Sequence, residues 1–172
     1  HCEERLDKAG VLEEAGVADA AAVNRLLSRE VLAAQAAGLL VLYCIGEKAK
    51  EQERWREVLG EQLALGLRGA DARGLVIAYE PVWSIGPGKA PADSDYIQKM
   101  ARFIKQETRS LLGVSLPVVY GGGLKQDNAR MLANIPEVDG GLIALTRFGG
   151  EIGFYPEEFL DIVKLHLTTS SP

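Results

Sequence analysis

One glutamate stands where a buried strand is predicted to end. Glu80 follows the apolar run "GLVIAY" of residues 74–79, and Pro81 comes directly after it. Proline has no backbone N–H, so it ends strand pairing and forces a turn. A carboxylate in this position either takes part in the chemistry of a site or forms a salt bridge at the rim of a sheet.

A glycine-rich loop follows this glutamate. Residues 83–89 read "WSIGPGK", in which Gly86 and Gly88 flank Pro87. Glycine adopts backbone conformations closed to other residues, and a bare N–H such as that of Gly86 can bind an anion. Because Pro87 stiffens the segment between the glycines, the loop is typical of a flap that closes over a ligand. A tight glycine–proline turn is the alternative.

Two other predicted strands also end in residues that could bind a ligand. In "YGGG" at residues 120–123, the backbone N–H groups of Gly122 and Gly123 could reach a phosphate at a helix N-terminus, although glycine runs also make simple turns. In "CIGEK" at residues 44–48, Glu47 belongs either to a site or only to the start of a helix. The strand ends are therefore the places to look for function.

Strands and helices alternate along the chain. Near-continuous apolar runs, typical of parallel strands buried on both faces, occur at residues 39–46, 74–82, 116–122 and 140–145. Between them apolar residues recur at helical spacing, as Ile97, Met100 and Ile104 do after a capping Asp93 or Ser94. This order predicts right-handed βαβ units and an α/β fold with a parallel sheet. A doubly wound sheet and part of a (β/α)8 barrel are both open at this point, and both place function at the carboxyl ends of the strands.

The composition argues against several classes of partner and cofactor. The chain has 172 residues, 47% of them hydrophobic and 25% charged, with a formal net charge of −5 that argues against nucleic acid as a partner. No apolar stretch approaches the roughly 20 residues that span a membrane. Cys2 and Cys44 form no disulfide framework, which favours a reducing cytoplasmic location. No GxGxxG pattern follows a strand, so a dinucleotide-dependent oxidoreductase has little support.

Taken together, the motifs resemble one family. "HCEER" at residues 1–5, "CIGEK", "YEPVWSIGPGK", "VVYGGGLKQDNA" and "VDGGLI" occur in the order in which triosephosphate isomerases carry similar motifs, and the resemblance runs to about residue 165. It implies a (β/α)8 barrel and an aldose–ketose isomerase that moves a proton between adjacent carbons of a small sugar phosphate through an enediolate. It also implies no cofactor and no metal, a homodimer and a cytoplasmic location.

The resemblance assigns roles to individual residues. Glu80 would be the base that removes the proton, and His1 would be the neutral imidazole that polarises the carbonyl, a pair for which this family is the standard example. Glu3 matches a supporting glutamate of the site. The backbone N–H groups that would bind the phosphate belong to Gly86, Gly122 and Gly123. A non-catalytic phosphosugar-binding module is the alternative, although binding alone needs neither Glu80 nor His1.

The chain departs from the family around the expected substrate. Gly123 stands where the family usually has a serine, and Ala144 and Leu145 replace a second glycine pair under the phosphate. Thr146 or Arg147 would compensate by binding the phosphate directly, unless Arg147 is a surface residue. The resemblance as a whole implies the triose phosphates, glyceraldehyde 3-phosphate and dihydroxyacetone phosphate, as substrates. With a long stretch at residues 6–24, these departures favour as an alternative an altered substrate, a four-carbon keto-sugar phosphate such as erythrulose phosphate. Loss of activity is another alternative.

The chain is short for a complete barrel. A (β/α)8 barrel usually needs about 250 residues, whereas this chain has 172, with four predicted strands. They match the second half of the family's barrel, strands five to eight, and would form a single domain over residues 1–172. The lysine and asparagine of the family's first strand have no counterpart here. We therefore expect an incomplete stretch of a longer protein, with a half-barrel that pairs with its own copy as the alternative.

Overall fold

The parallel α/β sheet predicted from the sequence is present. The computed structural model describes residues 2–17, 19–86, 88–147 and 149–169. Its strands are β1 (Val41–Ile45), β2 (Leu75–Tyr79), β3 (Val118–Tyr120) and β4 (Gly140–Gly141), which pair in parallel in the order β1-β2-β3-β4. Neighbours in the chain are neighbours in the sheet, so the described strands contain no reversal of order of the kind that defines a doubly wound sheet.

Six helices and two short 3-10 turns connect and cover the strands in the described residues. The helices are α1 (Cys2–Glu14), α2 (Ala20–Ala36), α3 (Trp55–Gly66), α4 (Ser94–Leu112), α5 (Gln126–Ala133) and α6 (Pro156–Thr169), and the 3-10 turns are Ala49–Arg54 and Val82–Ser84. None of these helices is long and apolar enough to cross a bilayer.

The register of the sheet brings three strand ends to one edge. Ile45 of β1 pairs with Tyr79 of β2, and Tyr79 pairs with Tyr120 of β3. The next residues along the three strands therefore lie side by side at the carboxyl edge, with Glu80 between Gly46 and Gly121. Backbone hydrogen bonds continue past the strands, since Glu80 N donates to Ile45 O at 2.8 Å and Gly121 N donates to Tyr79 O at 2.9 Å.

All four strands are shorter than the predicted apolar runs, and β3 and β4 keep less than half of theirs. β4 was expected at residues 140–145 but covers only Gly140–Gly141, because it pairs with β3 on one side alone within the described residues. After Leu142 N donates to Tyr120 O, the chain leaves the sheet and forms an antiparallel bridge between Arg147 and Gly153. β3 covers Val118–Tyr120 rather than residues 116–122, since proline and glycine residues flank it.

The main core lies between the sheet and the helices on one of its faces. Strand residues such as Ile45, Ile77 and Val118 pack there against α3 and α4. Burying one such side chain contributes about 2 kcal/mol, so this face supplies most of the stabilisation. On the other face the buried residues are small, and Cys2, Cys44 and Ala78 form a separate cluster. The small cluster lies beside Glu80, as described below.

α4 follows its sequence signals closely. Asp93 is the N-cap, and its side chain accepts a hydrogen bond from Tyr96 N at 2.8 Å. The buried residues include Ile97, Met100 and Ile104, as predicted. The helix ends at Gly113, whose φ of 79° is in the left-handed region that favours glycine. Because the cap fixes the first turn, Tyr96 has a defined position next to the glycine-rich loop.

No element was predicted from the sequence for residues 2–14, which form α1. Its pattern has no continuous apolar stripe, and its buried residues are Cys2 and Arg5. Glu3 and Glu4 lie in the first turn, where negative charge is favourable, and Lys8 pairs with Glu4 one turn earlier. Local charge therefore supports this helix more than periodicity does.

Candidate active site

Glu80 is fully buried at the carboxyl edge of the sheet. Its exposed fraction is 0%, and its Oε2 accepts a hydrogen bond from Cys2 N at 2.8 Å. The first residue of α1 therefore binds the carboxylate of the residue that directly follows β2. The position of Glu80 at the end of a buried strand agrees with the sequence analysis, while its role as a base stays a prediction.

Two glycines leave room for Glu80. A Cβ atom on Gly46 would lie 1.8 Å from the carbonyl oxygen of Glu80, and a Cβ on Gly121 would lie 2.8 Å from its Cγ. Both distances are shorter than a non-bonded contact allows, so the backbone carbonyl of Glu80 requires a glycine at position 46 and its side chain requires a glycine at position 121. The sequence analysis did not assign these residues a function. Their signal was a glycine directly after each neighbouring strand.

Two buried thiols complete the surroundings of the carboxylate. Cys2 and Cys44 are 1% and 8% exposed and form no disulfide. Burial, and after it the negative charge of Glu80, raises the pKa of both thiols. They therefore stay protonated and present a largely apolar wall that keeps water away from Glu80. Sequence reasoning treated them only as evidence on disulfides.

Glu47 anchors the loop that follows Glu80. It is fully buried, and its Oε1 accepts hydrogen bonds from Trp83 Nε1 at 2.7 Å and from the Tyr96 hydroxyl at 3.0 Å. The Tyr79 hydroxyl donates to the same carboxylate at 3.1 Å. Burial, and then the charge of Glu47, raises the pKa of Tyr79 and Tyr96. The interpretation of Glu47 as only a helix-start residue is therefore wrong, because this one carboxylate ties the loop to α4.

The glycine-rich loop has the backbone that its sequence suggests. Val82–Ser84 form a 3-10 turn, and Ser84 Oγ donates to Gly122 O at 3.2 Å. Gly86 has a φ of 112° and Gly88 a φ of 74°, both in the region that favours glycine. Pro87 lies outside the described residues. The loop is therefore fixed at its start by Trp83 and Ser84 and depends on glycine conformations further along.

A cavity of about 540 Å³ joins this loop to the other predicted phosphate contacts. Its lining residues include Gly86, Gly123, Thr146 and Arg147, together with Lys89 and Lys125. Three of the four predicted substrate-binding residues are thus brought together. Gly122 does not line the cavity; its carbonyl accepts the Tyr120 hydroxyl at 2.9 Å, and a Cβ there would clash with that hydroxyl at 2.4 Å. Close packing against the Tyr120 hydroxyl therefore explains why residue 122 is a glycine. Its contact with phosphate stays a prediction.

Arg147 is ion-paired. Its Nε donates to Glu158 Oε1 at 3.1 Å, and its guanidinium stacks on the ring of Tyr155 at 4.0 Å. The hydrogen bond from Arg147, more than its charge, lowers the pKa of the Glu158 carboxyl. Arg147 lines the cavity and also reaches solvent, so its proposed role as a phosphate ligand and its interpretation as a surface residue both stay open.

The remaining predicted site residues are only partly placed. His1 lies outside the described residues, so the predicted electrophile has no position here. Glu3 is exposed on the first turn of α1, next in the chain to the Cys2 that holds Glu80. Within the described ranges, no group of three or more His, Cys, Asp or Glu residues could hold a metal ion.

Comparison with known proteins decides the family. The model of the family described as triosephosphate isomerase matches residues 19–165. The chain belongs to the triosephosphate isomerase family. It is 39% identical over 150 residues to triosephosphate isomerase of Halorhodospira halophila, covering 81% of this chain and 57% of that one. It is 44% identical over 110 residues to the enzyme of Neisseria meningitidis, covering 62% of this chain and 43% of that one.

A solved structure agrees with the sequence relatives. The chain resembles the crystal structure of triosephosphate isomerase from Bartonella henselae with a TM-score of 0.70 and 31% identity, over 84% of this chain and 58% of that one. The predicted fold class, the (β/α)8 barrel of triosephosphate isomerases, is confirmed. The chain spans about half the length of the relatives it matches.

Proposed function

We propose that the protein interconverts glyceraldehyde 3-phosphate and dihydroxyacetone phosphate, with Glu80 as the base. The observation that carries the proposal is a fully buried carboxylate directly after β2, which accepts a hydrogen bond from Cys2 N–H and is followed in the chain by a glycine-rich loop that lines a cavity. Family membership supplies the reaction, since the relatives described above are all named triosephosphate isomerases.

The reaction moves one proton between adjacent carbons. Glu80 removes a proton from the carbon next to the carbonyl, and the electron pair of that C–H bond moves toward the carbonyl oxygen to form an enediolate. The protonated Glu80 then returns the proton to the neighbouring carbon. Water would compete for this proton and attack the intermediate, so the apolar wall of Cys2 and Cys44 supports the proposal. The family resemblance gives His1 the task of stabilising charge on the oxygen.

The cavity suits the phosphate end of the substrate. Lys89, Lys125 and Arg147 line it with Asp127 as the acidic member, so its positive charge favours an anion. Gly86 and Gly123 line the same cavity and can present backbone N–H groups. None of the relatives described above favours the four-carbon substrate expected from the departures at residues 144–147, so the three-carbon pair is proposed.

The family resemblance also supports a homodimer in the cytoplasm. The described chain has two buried cysteines without a disulfide, which is common in reducing compartments. Sedimentation of the protein as its gene encodes it would measure the number of subunits.

The test of the proposed function is kinetic. Glu80→Asp retracts the carboxylate by one methylene, and kcat for isomerisation should fall roughly 10²-fold because catalysis is sensitive to misplacement of about 1 Å. Binding of a phosphosugar analogue should barely change. Glu53→Asp, the same change at an exposed position outside the cavity, is the control and should retain full activity. A Glu80→Asp variant with wild-type turnover would mean that another group is the base.

A further inference from the structure

A second cavity is lined in part by Cys2 and Gly46, two residues that lie against Glu80. It has a volume of about 190 Å³ between α1, the 3-10 turn Ala49–Arg54 and α3. No residue in its lining also lines the cavity of about 540 Å³ at the glycine-rich loop. Leu6 and Ala9 of α1, together with Val23 and Asn24 of α2, contribute to its wall. The cavity is therefore separate from the proposed phosphate site.

The most unusual group in this cavity is the guanidinium of Arg5. The residue is only 9% exposed, and its Nη atoms donate to Asn24 Oδ1, to the Tyr43 hydroxyl at 3.0 Å and to Cys44 O at 3.2 Å. These acceptors are all neutral. Its Nε is buried and has no hydrogen-bond partner, and none of the ion pairs in the described part of the chain includes Arg5. A buried charge is normally paired, so the guanidinium of Arg5 is suited to an anionic partner.

Two further cations line the same cavity. Lys48 is half-buried and takes part in none of the described ion pairs, and Arg54 pairs only with Glu57, where both side chains are more than 70% exposed. Exposed pairs of that kind contribute little, so Arg54 can turn to another anion. These two side chains add positive charge to that of Arg5.

The acidic residues of the lining are already engaged. Glu51 Oε2 accepts Lys48 N–H at 2.8 Å, and Glu61 Oε1 accepts Asn24 Nδ2 at 3.1 Å. Both therefore bind neutral N–H donors, and neither forms any of the ion pairs found in the described part of the chain. Arg5, Lys48 and Arg54 outnumber these two carboxylates in the lining.

We propose that this cavity binds a small oxyanion, a carboxylate or a phosphate, paired with Arg5 and approached by Lys48 and Arg54. A guanidinium is a preferred partner of such a group because it is always charged and its donors are planar, and Nε of Arg5 donates to no group of the described residues. The volume equals that of roughly six water molecules, which is enough for an anion of a few heavy atoms. Cys2 and Gly46 form part of the wall, so the ligand would lie behind the peptides that position Glu80.

The test is a titration of the 15N-labelled protein, as its gene encodes it, followed by NMR. Sodium malonate and sodium phosphate are added separately while sodium chloride keeps the ionic strength constant. We expect saturable shifts of the Arg5 Nε–H signal and of the Cys2 and Gly46 amides, with a Kd on the order of 1 mM. The anion that saturates at the lower concentration identifies the source of the oxyanion.

Two variants distinguish anion binding at this cavity from non-specific attraction of anions to positive charge. Lys48→Ala combined with Arg54→Ala should weaken binding at least fivefold without removing the buried Arg5 on which packing depends. Lys50→Ala is the control, because Lys50 is exposed in the same 3-10 turn and does not line the cavity. Shifts that do not saturate, or equal losses in the control, would overturn the proposal. Shifts confined to the amides of Gly86 and Gly123 would overturn it too, and would leave the proposed isomerase function intact.

Discussion

At the residue scale, the geometry of the site depends on close packing around Glu80. Gly121 leaves room for its side chain, the thiols of Cys2 and Cys44 lie beside it, and Cys2 N–H donates to its Oε2. Close packing and this hydrogen bond help to hold the carboxylate in place.

Gly121→Ala tests the role of shape. The new Cβ would lie 2.8 Å from Glu80 Cγ, so the carboxylate must move. We expect kcat to fall roughly 10- to 100-fold with little change in KM, because the displacement affects proton transfer more than binding. Steady-state kinetics measures this. Gly10→Ala is the control, since an added Cβ there meets no atom within 4 Å. Unchanged kcat in Gly121→Ala would show that the carboxylate tolerates displacement.

Tyr120 gives a pH-dependent prediction. It is 1% exposed, and burial raises its pKa to about 12. Since the folded-state pKa lies above the unfolded value of about 10, its contribution to stability is complete below pH 10 and is lost as the pH rises toward 12. The slope is up to about 1.4 kcal/mol per pH unit. Tyr120→Phe should reduce the alkaline slope of the unfolding free energy, measured with urea between pH 9 and 11. An identical slope in both proteins would contradict the assignment.

At the element scale, the glycine-rich loop of residues 83–89, here called the lid, is held at its start by Trp83 and relies on glycine conformations further along. Trp83 on the lid and Tyr96 on α4 both donate to Glu47 Oε1, so the loop leaves the sheet and enters the helix beside the same carboxylate. Between them the backbone passes through two positive-φ glycines. Closure would therefore require movement at the glycines more than at the ends.

Gly86→Val tests the lid without a steric clash. A Cβ on Gly86 meets no atom within 4 Å, but a φ of 112° is strained for a β-branched residue. We expect lower kcat and weaker binding of phosphorylated ligands, with unphosphorylated ligands little affected. Gly149→Val is the matched control, because Gly149 lines the same cavity, has open space around its Cα and lacks a positive φ. Equal losses for both classes of ligand would mean that this loop does not bind phosphate.

At the scale of the whole molecule, the sheet has an uncovered edge. Within the described residues β1 pairs with β2 alone. Leu39, Leu40 and Leu42, before and within β1, are 62%, 86% and 44% exposed. Unpaired strand edges with exposed apolar side chains favour association with another strand. The relatives are about twice as long as the part matched, and the additional length of a barrel would cover such an edge.

We expect residues 1–172, expressed alone, to self-associate and to have no measurable isomerase activity. The physical reasons are the exposed leucines beside the unpaired edge of β1 and the presence of only four parallel strands of a (β/α)8 barrel in the described residues. Light scattering after gel filtration and a coupled isomerase assay measure the two properties. Leu40→Glu combined with Leu42→Glu should reduce the association without restoring activity. An active monomer of these residues would contradict the half-barrel interpretation.

The features of the fold that depend on local sequence patterns could be predicted from the sequence. The parallel strands, the cap at Asp93 and the buried Glu80 follow from periodicity, turn residues and the family motifs. The contacts of Gly46 and Gly121 with Glu80 could not be predicted, because they depend on the register of three strands. The hydrogen bond from Tyr96 to Glu47 joins residues 49 positions apart, so it depends on tertiary packing. α1 lacked an apolar stripe, and the buried Arg5 therefore went unnoticed.

The most direct test of the central claim measures proton transfer itself. Dihydroxyacetone phosphate is incubated in D2O with the protein as its gene encodes it, and 1H NMR follows the loss of one carbon-bound hydroxymethyl proton. The wild type should exchange this proton, and Glu80→Gln, which keeps the shape but cannot act as a base, should slow the exchange at least 10³-fold. Glu53→Gln, at an exposed position, should exchange like the wild type. Exchange by Glu80→Gln within tenfold of the wild-type rate would contradict the account.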